Sequence, residues 1–152
     1  MKNGNENLLW LLKQAFHYSG HTINEVISKH GVTSAQTGLL RQLAEEPGLS
    51  GAELGRRLLI SPQGAQLALA TLERNGLIER KPDPEHGRIQ RAYLTEKGRR
   101  TVTAANADAV IAHDELFSVL TAEERKTLAE LLVRIVVQGH GEVSFTLHPH
   151  TD

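Results

Sequence analysis

Two of the eight histidines, His17 and His21, stand four residues apart, the spacing that puts both imidazoles on one helix face as in helical zinc pairs. A metal centre would need a third ligand, for which His113, Asp114 and Glu115 are the central candidates and His140, His148 and His150 the terminal ones. Packed or solvated histidines, the polar lining of a small-molecule pocket, and metal ligation all fit that pattern. Other chemistry has less to build on. The chain contains no cysteine, which excludes a disulfide framework, a thiolate zinc site and thiol redox sensing within it. No G-x-S-x-G, H-E-x-x-H or Walker pattern occurs, and His113-Asp114-Glu115 is too local to form an active site unaided. The expectation is a protein that binds rather than catalyses and carries no cofactor.

Charge points to what is bound. The formal net charge of −1 hides a division of the chain. Residues 50–101 carry ten Lys and Arg against six acids, or +4, and the remainder carries seven against twelve, or −5. A basic middle between acidic ends suits one region that faces phosphates and others that face solvent or another subunit.

The elements that must position these residues are legible. Residues 6–29 place Leu8, Leu9, Leu11, Leu12, Ala15, Phe16, Ile23, Val26 and Ile27 at helical spacing, with a start so apolar that it calls for a partner as well as its own core. Gly31 ends that helix, and Thr33 or Ser34 opens a second whose stripe is Leu39, Leu40 and Leu43, stopped by Pro47-Gly48. Ser50 with Glu53 is a capping box for a helix that turns Leu54, Leu58 and Leu59 inward. Ser61 as N-cap with Pro62 at the first helical position starts the next helix after only a tight turn; Ala65, Leu69 and Leu72 are its core face, and Asn75-Gly76 is its stop. Leu77 to Lys81 and Ile89 to Leu94 read as strands of a hairpin around Pro82, Pro84 and Gly87. Thr95 opens a long helix over roughly 96–118. Thr121 with Glu124 caps a last one, with Leu128, Leu131, Leu132, Ile135 and Val136 on one face. Two short helices and a basic hairpin make a winged helix-turn-helix, and the fold class expected is α+β, mainly α, in a single domain over 1–152.

The stretches GVTSAQTGLLRQL, LSGAELGRRLLIS, LERNGLIERKPDPEHGRIQRAYLTEKG and LFSVLTAEERKTLAELL resemble, in order and spacing, the MarR family of bacterial transcription regulators over roughly residues 6–138. The resemblance implies a homodimer held by helices at 6–30 and 104–138, a winged helix-turn-helix at 33–101 that binds pseudo-palindromic double-stranded DNA, and a tail at 139–152. It also implies an effector pocket between the dimerisation helices and the winged unit, where small aromatic or lipophilic acids bind and weaken DNA affinity. Two departures stand out. The family's Asp-x-Arg in the wing is His86-Gly87-Arg88 here, so the ion pair that braces the wing is expected to be absent or supplied by Glu85. A recognition-helix position that often holds a basic residue is Leu67.

A recognition helix presents its early exposed residues to the major groove, here Ser61, Gln63, Gly64, Gln66 and Leu67. Glutamine can pair bidentately with adenine and leucine can meet a thymine methyl, so an A/T-leaning half-site is expected, with Arg88 at the wing tip for the adjacent minor groove. Arg56, Arg57, Arg74, Lys81 and Arg91 are candidate phosphate contacts, Arg74 being equally suited to complementing its own helix dipole. His17, His21 and Arg41 are the polar residues suited to a carboxylate or phenol in the implied pocket. The reading is a repressor released by a small organic acid. Its alternatives are a zinc-responsive regulator of the same fold, with His17, His21 and His113 as ligands, and a winged-helix interaction module that does not bind DNA. No basic segment leads into a long apolar run, so a soluble cytoplasmic protein with no membrane partner is expected.

Overall fold

A computed structural model of the protein describes residues 7–141. Six helices and three short strands follow in the order α1 (Leu8–Ser28), α2 (Ser34–Glu45), β1 (Leu49–Ser50), α3 (Gly51–Leu58), α4 (Pro62–Arg74), β2 (Ile78–Pro82), β3 (Gln90–Leu94), α5 (Glu96–Leu116) and α6 (Ala122–His140). The mainly helical α+β class expected from the sequence is the one observed, with a small antiparallel sheet of order β1-β3-β2.

Local chemistry sets most boundaries. Thr33 accepts from the Gln36 amide at 3.1 Å while the Gln36 side chain takes the Thr33 amide at 2.9 Å, and reciprocal caps of this kind also open α3 and α6. Gly76, at φ +71°, turns the chain from α4 into β2 in the left-handed region that an L side chain resists. The sheet gains a strand that the sequence reading lacked: β1 is two residues long and pairs Leu49 with Ala92 and Ser50 with Arg91.

One core joins the winged unit to α1 and α5. Leu39, Leu40 and Leu43 of α2 meet Leu54 of α3, Leu69 and Leu72 of α4, Ile78 of β2, Ile27 of α1, and Val102 and Ala105 of α5. Each such leucine contributes about 1.5–3 kcal/mol by leaving water. The start of α5 is pressed against the sheet: a Cβ at Gly98 would overlap the Leu77 carbonyl, which also accepts from the Thr95 amide at 3.1 Å. Leu59, expected to point inward, is 65% exposed, because the chain must reverse there and takes a left-handed conformation, at φ +54°, that swings its side chain into solvent.

The helices outside this core are different. Leu8, Leu9, Trp10, Leu11, Leu12 and Phe16 of α1 are exposed, Phe16 at 80%, and so are Leu128, Leu131, Leu132, Ile135 and Val136 of α6. No residue of α6 belongs to the core cluster among the described residues. No described helix is long and apolar enough to cross a membrane.

Candidate nucleic-acid interface

The helix-turn-helix is built from two caps and a strained turn. The Glu53 amide donates to Ser50 Oγ at 3.3 Å, and the Ser50 amide and hydroxyl donate to Glu53 Oε2 at 2.8 and 2.7 Å; the bonds to the carboxylate hold the Glu53 carboxyl below its usual range, the backbone donor being the larger cause. After the reversal at Leu59, Ser61 Oγ accepts from the Gly64 amide at 3.0 Å, and Pro62 supplies a helix-ready φ without losing a needed donor. With Ala65, Leu69 and Leu72 buried, the helix has no choice about what it shows. Ser61, Gln63, Gly64, Gln66 and Leu67 are all exposed, Leu67 at 73%.

Gln66 nonetheless differs from Gln63. Arg80, on β2, donates through Nε and Nη2 to Glu73 Oε2 at 2.9 and 2.5 Å and through Nη1 to Gln66 Oε1 at 3.4 Å. The Arg80 bond is the main cause of the lowered Glu73 pKa. On its other side the Gln66 amide nitrogen rests over Gly51 at the start of α3, where a Cβ would lie 2.5 Å from it. Wing strand, recognition helix and α3 therefore meet at one carboxamide. Neither Arg80 nor Glu73 was singled out from sequence; their seven-residue separation across the turn at Gly76 was the available signal.

The wing contains the brace expected to be missing. Asp83 Oδ1 accepts from the amides of Glu85 and His86 at 2.8 and 2.9 Å, while its Oδ2 takes the Arg91 Nε. Arg91 Nη1 goes on to the Gly48 carbonyl at 2.9 Å and lies 3.6 Å from Glu53. The Arg91 bond, followed by the two amides, pulls the Asp83 carboxyl down to about 2. So the aspartate sits five residues before Arg88 rather than two, Glu85 does not replace it, and its arginine is Arg91. Among the described residues nothing holds Arg88, which stands exposed on the wing.

The other cations divide. Arg91, expected at the phosphates, is turned into the wing. Arg57 faces α2, donating to Glu46 at 2.5 Å and Gln42 at 3.3 Å. Lys81 pairs with Glu79 at 2.8 Å and lies over the Tyr93 ring, its pKa raised by the Glu79 bond. Arg56 is exposed at the end of α3, and Arg74 is exposed with a 3.4 Å contact to Thr71.

The candidate ligand-binding residues have local partners of their own. His17 is exposed on α1, His21 lies 3.7 Å from Glu25, and Arg41 is half-buried between α2 and α5, donating to Asn106 Oδ1 at 3.2 and 2.9 Å. Burial lowers the Arg41 pKa, against the opposing field of Glu45. A hollow of about 250 Å³ lined by His30, Gly31, Asn75, Leu77, Lys97 and Thr101 contains none of the three. His113 sits against Asp114 and Phe117, and among the described residues no three His, Asp or Glu side chains are grouped to hold a metal, so the proposed third ligand does not join His17 and His21. The side chain of His140, together with His148 and His150, lies outside the described residues.

Known proteins share this arrangement. The MarR family profile matches residues 30–89. An HTH-type transcriptional repressor of Mycobacterium tuberculosis is 31% identical over 113 residues, 74% of this chain and 81% of the repressor. The transcriptional repressor CouR, solved bound to a 23-mer DNA duplex, superposes with a TM-score of 0.82 at 29% identity, covering 90% of this chain and 98% of that one. A mutant MarR from E. coli, solved with operator DNA, gives a TM-score of 0.80 at 26% identity, covering 85% and 93%. With its capped helix-turn-helix, braced wing and these relatives, the chain belongs to the MarR family of winged-helix, DNA-binding transcriptional regulators.

Proposed function

We propose that the protein is a homodimeric, cytoplasmic repressor that reads a pseudo-palindromic operator and is released by a small organic acid. The observation that carries the DNA reading is the outward face of α4, with Gln63, Gly64, Gln66 and Leu67 exposed, together with the unpaired, exposed Arg88 of the wing. Gln63 can pair with adenine, Leu67 can cover a thymine methyl, and Arg88 suits a narrow minor groove. Two such faces must be about 34 Å apart to enter successive major grooves, and the exposed apolar sides of α1 and α6 supply the surface for joining them.

Release follows if a ligand binds better to a subunit spacing that the operator does not accept. Arg41 at the α2–α5 contact, with His17 and His21 contributed where the dimerisation helices meet the winged unit, is the proposed seat for the acid. Benzoate and more lipophilic aromatic acids, titrated against the protein–operator complex, are expected to lower DNA affinity in the wild type and not in Arg41→Met. Equal effects in both would remove Arg41 from the pocket.

The decisive experiment for the DNA reading is titration of the protein's own upstream DNA at several salt concentrations. With Arg57, Lys81 and Arg91 engaged internally, Arg56, Arg74 and Arg88 remain for phosphates on each subunit. Six contacts per dimer give log K falling against log salt with a slope of about −5. A flat dependence would overturn the reading in favour of a winged-helix scaffold.

A further inference from the structure

We infer that Arg80 is a specificity-determining positioning residue that makes Gln66 read guanine rather than adenine; the inference rests on α4 entering the major groove as proposed above. Arginine has donors and no acceptor, so the Gln66 atom that faces Arg80 Nη1 at 3.4 Å must be the carbonyl oxygen. That fixes the amide nitrogen on the opposite side, over Gly51, the residue whose missing side chain leaves room for it. Arg80 is itself fixed by two bonds to Glu73 Oε2, so the orientation is imposed from β2 and the far end of α4.

The consequence is chemical. Bidentate pairing of glutamine with adenine uses the oxygen to accept from N6 and the nitrogen to donate to N7. Here one lone pair of the oxygen is taken by a guanidinium, whose positive charge opposes a second donor such as the adenine N6 amine at the other. Donors are what remain for a base edge: the Gln66 NH2 rests on Gly51 on one side and keeps its second N–H, and the Arg80 cation lies at the carbonyl. Guanine, with N7 and O6 both acceptors, is the major-groove edge that complements them. The half-site therefore carries a guanine at the Gln66 position within the otherwise A/T-leaning sequence expected from Gln63 and Leu67.

Operator selection from random duplex DNA tests this with four full-length proteins: wild type, Gln66→Ala, Arg80→Met and Glu73→Met/Arg80→Met. The double variant removes both partners of the ion pair together, so that no unpaired charge is left to destabilise the fold. Gln66→Ala identifies the position that Gln66 reads, by erasing a preference there. At that position the wild type is expected to prefer guanine over adenine, and both Arg80 variants to lose at least about tenfold of that ratio while neighbouring positions keep theirs. An unchanged ratio in both Arg80 variants overturns the inference, as does a Gln66→Ala protein that binds every sequence more weakly with no change in preference. A wild type that enriches no sequence would overturn the DNA reading itself, and this inference with it.

Discussion

Asp83 and Arg91 close the wing on itself and on the helix-turn-helix at once. The carboxylate takes two amides of the wing turn on one oxygen and the Arg91 guanidinium on the other, while that guanidinium reaches back to the Gly48 carbonyl and toward Glu53, the N-cap partner of α3. The two residues are diagonal neighbours in the β2–β3 register, where Lys81 opposes Arg91 and Pro82 opposes Gln90. A wing held in this way presents Arg88 at a fixed offset from α4.

That pairing makes the wing acid-sensitive. The Asp83 carboxyl is lowered from its ordinary 3.8 to about 2 in the folded chain, so its contribution to stability is fully present above about pH 4 and is lost as pH falls toward 2. Thermal melts from pH 7 to 2 are expected to show a lower midpoint for Asp83→Asn at neutral pH and a gap to wild type that closes between pH 4 and 2. Parallel curves through that window would mean that the brace does not stabilise the fold.

Removing the exposed Arg88 should leave stability alone and change DNA binding. Arg88→Ala takes one cation from each subunit, so the salt slope is expected to become shallower by about 2 per dimer, with the thermal midpoint unchanged within about 1 °C. Arg91→Ala should behave differently, lowering the midpoint because it leaves Asp83 unpaired. If Arg88→Ala leaves both slope and affinity at wild-type values, the wing tip does not touch DNA.

These contrasts mark what the sequence could and could not disclose. Caps are local chemistry, so Ser50 with Glu53, Ser61-Pro62 and Thr121 with Glu124 placed three helix starts directly, and the buried stripe of α4 followed from its period. Long-range partners were less legible. β1 is two residues whose strand character exists only through β3, and Asp83 meets Arg91 only once the hairpin register is known. The amide of Gln66 looked free because Arg80 lies on a different element, and nothing at Leu59 announced a left-handed turn, for which glycine or asparagine is the usual sign. His17, His21 and Arg41 follow from residue type and from the pocket position the family resemblance implies, whereas the partners they have, Glu25 for His21 and Asn106 for Arg41, carried no sequence signal.

Leu59 gives the opposite of a brace. At φ +54° a leucine pays a steric cost of roughly 1–2 kcal/mol, and its side chain, 65% exposed, recovers little of that by packing. Leu59→Asn is expected to raise stability by about 0.5–1 kcal/mol, and Leu59→Val, which is β-branched, to lower it. Urea unfolding reads both, as a shift in midpoint with the slope preserved. A destabilised Leu59→Asn would show that the exposed leucine is held by contacts outside the protomer, DNA or a partner subunit among them.

The last expectation concerns α6, whose nineteen residues extend about 28 Å. Among the described residues of one protomer its apolar stripe stays open: Leu131 is 48% exposed, Ile135 is 56% exposed, and Leu128, Leu132 and Val136 stand beside them at helical spacing. A helix of this length is marginal in water without packing, and a contiguous stripe of this kind on one face is an interaction surface. The exposed start of α1, from Leu8 to Phe16, offers a matching apolar surface, so a second copy of the chain is the economical cover. Placing charge in the stripe with Leu132→Glu and Ile135→Glu should therefore give a monomer by sedimentation. The winged unit's own core of Leu39, Leu54, Leu69 and Leu72 is untouched by these changes. With one recognition helix instead of two engaging the operator, affinity should fall by about 10²–10⁴-fold, while binding to an isolated half-site stays near the per-subunit value of wild type. A double variant that remains dimeric and keeps its operator affinity would place the dimer contact elsewhere.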